Sequence, residues 1–73
     1  MPIANAAKIT ALERRLAKCE CALRDFSAIQ AELRSMGRSE RVDSMLKLNG
    51  ETIVAVGRSL SLIRKDLERE LSR

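Results

Sequence analysis

Few side chains in this sequence could do covalent chemistry, and their spacing does not assemble them. Histidine, tyrosine and tryptophan are absent, so the commonest general base is missing and a serine nucleophile would need a lysine or carboxylate to activate it. The sequence has no glycine-rich phosphate loop and no serine-based catalytic motif. Cys19 and Cys21 are the only cysteines. Two residues apart, they stand about 200° from each other around a helix, which prevents an easy bridge and suggests a reducing compartment. Two cysteines without histidine also make a poor zinc site. Asp66 and Glu70 have the spacing of a helix surface, where Lys65 and Arg69 can pair with them. The expectation is a protein without catalytic residues, metal, cofactor or small-molecule substrate.

Charge offers a second kind of chemistry. Fourteen Lys and Arg against ten Asp and Glu give a net charge of +4. Arg14, Arg15 and Lys18 form one basic cluster, and Arg58, Arg64, Lys65, Arg69 and Arg73 form another. Both could contact phosphates, with Arg14, Arg15, Lys18, Arg64, Lys65 and Arg69 the candidate nucleic-acid contacts. Against this, Glu13, Asp66, Glu68 and Glu70 dilute the clusters, and Phe26, the only aromatic residue, offers no stacking platform. No segment has a helix-turn-helix pattern. The chain also has no apolar run near the roughly 18 residues that cross a bilayer, and its first residues lack the apolar core of a signal peptide. A cytoplasmic protein without a membrane partner is expected.

The elements that position these groups follow from the apolar spacing. Ile9, Leu12, Leu16, Cys19, Leu23, Phe26 and Leu33 recur at alternating steps of three and four, with Gln30 as the polar interruption. This is a heptad seam, flanked by Ala17, Ala22, Ala28, Ile29 and Ala31. It predicts a first helix over about 5–36, starting between Pro2 and a capping Asn5 and ending before Gly37 in a left-handed cap. Residues 37–39 form the turn, and Ser39 caps the second helix.

The stretch Lys47 to Leu60 reads two ways. Asn49-Gly50 followed by the β-branched run Thr52-Ile53-Val54 signals a β-hairpin. Yet Leu46, Ile53, Leu60 and Leu67 lie seven apart, and Val42, Asn49, Val56 and Ile63 form a companion row, so helical phase runs straight through the Asn-Gly pair. A hairpin would break that phase and leave two strands without a third. The spacing therefore predicts one continuous helix over about 40–71. Gly50 and Gly57 lie seven apart on one of its faces, where their missing side chains would let another helix come close. Asn49, inside the apolar row, needs a polar partner such as Gln30 or its own symmetry mate.

Two long helices joined by so short a link form an antiparallel hairpin, an all-α fold in one domain of 73 residues. Met45, Leu48, Val54 and Leu62 lie off the second helix's main seam, so its apolar surface is wider than one partner helix covers. The inference is a homo-oligomer joined through coiled-coil-like seams, as a four-helix dimer or a ring. The expected interface comprises Ile9, Leu12, Leu16, Leu23, Phe26, Leu46, Asn49, Ile53, Val56, Leu60, Ile63 and Leu67. The leading functional expectation is a non-enzymatic, self-associating assembly module. The alternatives are a small nucleic-acid-binding protein and an adaptor or inhibitor that docks its apolar stripe on another protein.

Between Asp25 and Glu70, the order Phe26, Leu33, Gly37 and Asp43, followed by the stripe Leu46 to Leu67 and a basic, acidic finish, resembles the oligomerisation region of phage small terminase subunits. The resemblance covers roughly the second two-thirds of the chain. It implies a ring of helical hairpins that helps a DNA-packaging motor recognise viral DNA. The family's N-terminal DNA-binding module has no counterpart among these residues, so what the resemblance implies is assembly rather than direct DNA recognition.

Overall fold

The computed structural model describes residues 2–72, with side chains from Asn5 onward. Two helices account for nearly all of them: α1 over Pro2–Ser35 and α2 over Glu40–Leu71. They pack side by side into a rod of 57 × 14 × 13 Å. No strand occurs among the described residues. Helical phase thus prevails over the Asn-Gly turn signal, because α2 passes through Asn49 and Gly50 unbroken.

The ends of the helices show which local signals act. α1 begins at Pro2, so Asn5 lies within the helix and is not its cap. At the other end, the Met36 amide donates to the Leu33 carbonyl at 3.2 Å, which tightens the last turn. Gly37 then reverses the chain at φ 84°, a left-handed conformation that costs an L-residue about 1–2 kcal/mol. Ser39 is extended and its hydroxyl accepts from the Val42 amide at 3.1 Å, satisfying one of the open donors of the first turn. Glu40 and Asp43 add negative charge where the helix dipole favours it, and Arg38 clasps Asp43 through Nε at 3.3 Å.

Three polar links set the antiparallel register. Near the open end, Lys8 Nζ lies 3.2 Å from Glu70 Oε1, and further along Arg64 Nη2 lies 3.5 Å from Glu20 Oε2. Toward the turn, Asn49 Nδ2 donates to Gln30 Oε1 at 2.7 Å and to the Phe26 carbonyl at 2.9 Å, and Gln30 Nε2 donates to the Leu46 carbonyl at 3.4 Å. Of the two partners expected for Asn49, Gln30 is the one within the chain. A one-turn slip of α2 would separate all three links at once.

The apolar core is a single seam. Leu12, Leu33, Val42, Leu60 and Ile63 are buried in it, and the neighbouring seam residues Ile9, Leu16, Leu23, Phe26, Leu46, Ile53, Val56 and Leu67 are half-buried. A two-helix rod can do no better, since each helix covers only one side of the other.

The glycines of α2 do not serve its contact with α1. A Cβ on Gly50 would stand 3.7 Å from Gln30 Nε2, an ordinary contact, and one on Gly57 would meet nothing within 4 Å. Neither is therefore a point of close approach between α1 and α2. Because Gly57 loses about 1 kcal/mol relative to alanine inside a helix, Gly57→Ala is expected to stabilise the hairpin by about that amount. Thermal unfolding followed by circular dichroism checks the sign.

Candidate interaction surface

Helix geometry divides the surface of the rod into two flanks on either side of the seam and two outer backs. Residues two positions from a seam residue are about 200° away from it, which places Arg14 and Lys65 on the backs of their helices. Arg64 lies on one flank, tied to Glu20. Arg15 and Arg69 share the other flank, where with Lys8, Ala11, Leu12, Asp66 and Glu70 they line a groove of about 360 Å³. Arg69 Nη1 lies 3.8 Å from Asp66 Oδ1 in that groove. Lys18 follows on the same flank, beside Ala22, Ala55 and Ser59. The candidate nucleic-acid contacts are thus spread over flanks and backs and do not form one patch. Arg73 lies outside the described residues.

The seam residues expected to join chains are largely used within one chain. Leu12, Leu60 and Ile63 are buried against the sister helix, and Asn49 spends its amide on Gln30 and Phe26. What remains outside is a different set of apolar residues. Met45, Leu48, Val54 and Leu62 stand 47–64% exposed, and Ile29, Met36 and Leu71 join them. The first four are those that fell off the seam in the sequence.

Of these exposed residues, Ile29, Met45, Leu48 and Leu62 fall on the flank that also carries Arg15, Lys18, Ala22 and Ala55. On α2 this follows from the row Leu48, Ala55, Leu62, seven apart, and on α1 from Arg15, Ala22, Ile29, Met36, also seven apart. Met45 and Leu48 line the turn end of the same flank beside Ser44 and Arg41. In the middle, Ala22, Ala55, Val56, Ser59, Cys19 and Lys18 border a shallow, mostly apolar depression of about 270 Å³. Val54 lies on the other flank, toward Gly50 and Gly57.

No family model, curated protein or solved structure matches this chain. Its surface must therefore be read from its own geometry. Among the described residues, no group of three or more His, Cys, Asp or Glu side chains could hold a metal ion. Nor is any described helix long and apolar enough to cross a membrane. Cys19 is half-buried and Cys21 exposed, both as free thiols.

Sequence reasoning missed the burial of Glu70, which is only 4% exposed although it is charged. The signal was present: Glu70 continues the row Val42, Asn49, Val56, Ile63 by one further step of seven. Its carboxylate sits at the seam, with the Lys8 ammonium reaching over from α1.

Proposed function

We propose that this chain is a non-enzymatic assembly module whose working form is a multimer of hairpins. The observation that carries this reading is the surface left open. A compact monomer of 8.2 kDa exposes about 4,500 Å², whereas this chain exposes 5777 Å². The excess is larger than the roughly 800 Å² that each partner buries in a standard protein interface. It also contains large apolar side chains, which a lone soluble hairpin gains nothing by exposing.

The deciding experiment is absolute mass by light scattering on a sizing column at two protein concentrations. A mass that is a multiple of 8.2 kDa supports the reading, and a monomer at both concentrations overturns it. A ring of many subunits would favour the terminase-like arrangement and direct the next test to viral DNA. A dimer would favour the four-helix form. Salt separates assembly from nucleic-acid binding, since phosphate contacts weaken steeply as salt rises and an apolar interface barely responds.

A further inference from the structure

Resting on that self-association, we infer which face joins the chains and in what orientation: the flank bearing Leu48, Ala55 and Leu62 packs on the same flank of a second copy, end to end reversed. The two-fold axis runs across the face at right angles to the helices, passing Ala22 on α1 and Ala55 on α2.

The pattern on α2 is self-complementary about Ala55. Arg41, Leu48, Ala55, Leu62 and Arg69 lie seven apart and read the same in both directions. Reversal about Ala55 therefore sets Leu48 of one chain against Leu62 of the other, twice, and Arg41 against Arg69 at each end, where Glu40 and Asp66 beside them offset the like charges. Both leucines are more than 60% exposed in the single chain, so each has surface to lose. At the axis the side chains are small: Ala22, Ala55 and Ser59 border the shallow depression, and small residues let helix backbones approach closely where they cross.

Charge selects this orientation over its rival. The open half of the face is basic, with Lys8, Arg15, Lys18 and Arg69 outnumbering Asp66 and Glu70. The turn half carries Asp25 and Glu32 against Arg41. An isologous pair with its axis along the rod would bring the two basic halves together. Reversal instead lays each basic half on the other chain's turn half. On α1, Lys18 stands four residues before Ala22 and Asp25 three after it, so reversal about Ala22 brings Lys18 of one copy opposite Asp25 of the other. Like-charge contacts at an interface suppress the wrong arrangement, and opposite ones fix register. A two-fold contact closes on itself, so the product is a dimer of four helices and not an open chain or ring.

The test uses the full chain in sedimentation equilibrium. The wild type is expected at twice the 8.2 kDa mass. Leu48→Lys and Leu62→Lys should each weaken the dimer by about a hundredfold or more, while Val54→Lys on the opposite flank should leave it unchanged. Lys18→Glu alone should weaken it about tenfold, and the double variant Lys18→Glu/Asp25→Lys should restore it. As a readout that does not depend on variant stability, Ala55→Cys in a Cys19→Ser/Cys21→Ser background should give a disulfide-linked dimer with oxidised glutathione, and Val54→Cys in that background should not. A dimer that survives both leucine changes, or is lost with Val54→Lys, overturns the face while leaving self-association intact. Absence of charge rescue, or of the disulfide-linked dimer from Ala55→Cys, overturns the orientation. A wild-type monomer at every concentration removes the assembly reading itself.

Discussion

Ile63→Asp is expected to unfold the hairpin, whereas Leu62→Asp, one residue away, is expected to leave the fold of the single chain in place. Ile63 is 4% exposed and Leu62 is 63% exposed. Aspartate at position 63 removes one of the few buried apolar groups and puts a carboxylate into the seam, at a cost of at least about 4 kcal/mol. A single core in a chain this small rarely supplies more than about 3–5 kcal/mol, so the loss is comparable to the whole stability of the hairpin. At position 62 the carboxylate stays in water, and the change for the single chain is within about 1 kcal/mol. Far-ultraviolet circular dichroism at low protein concentration reads both results. Retention of the full helical signal by Ile63→Asp would show that Ile63 is not part of the core. The same contrast governs how assembly can be tested. A polar change at Leu60 or Ile63 would abolish a multimer by unfolding the chain, which says nothing about an interface, whereas changes at Leu48 and Leu62 act on surface the single chain leaves open.

The extent to which the fold was legible follows from the kinds of signal the sequence contains. Periodicity is a global property, and the two interleaved rows in α2 outweighed the local Asn-Gly signal because a turn would have moved half the apolar residues out of phase. The capping of α2 was legible because Ser39 and Gly37 act through their own backbone geometry and need no tertiary information. The start of α1 was not, because asparagine is tolerated inside a first turn as well as before it. The candidate surface was legible in part. The residues Met45, Leu48, Val54 and Leu62 stood out as surplus, but the seam expected to join two chains packs in large part against the second helix of the same chain. A heptad row states that a face will be covered and not by which helix. Glu70 was passed over because its charge argued for solvent, although its place in the row argued for the seam.

The polar pair in the middle of the seam gives a prediction whose sign reverses between single and double changes. Asn49→Leu removes two hydrogen bonds and leaves the part-buried Gln30 Oε1 without the Asn49 amide that it accepts from at 2.7 Å. The expected loss is about 1–3 kcal/mol, mostly the penalty of a desolvated group that has lost its partner. Gln30→Leu alone has a related cost, because Asn49 Nδ2 then keeps only the Phe26 carbonyl at 2.9 Å. Replacing both by leucine substitutes apolar contact for the pair, and such exchanges are often neutral or stabilising. The double-mutant cycle should therefore show a coupling energy of about 1–2 kcal/mol between the two sites, read from urea unfolding of the four proteins. Strict additivity would mean that the amides do not act on each other. The double variant should also be less particular about alignment. With leucine at both positions, only the ionic links at Lys8–Glu70 and Glu20–Arg64 resist a one-turn slip of α2, and the second of these lies largely in solvent, where ion pairs contribute little. Greater stability accompanied by broadened amide spectra would then identify the Asn49–Gln30 pair as the device that trades stability for a single register.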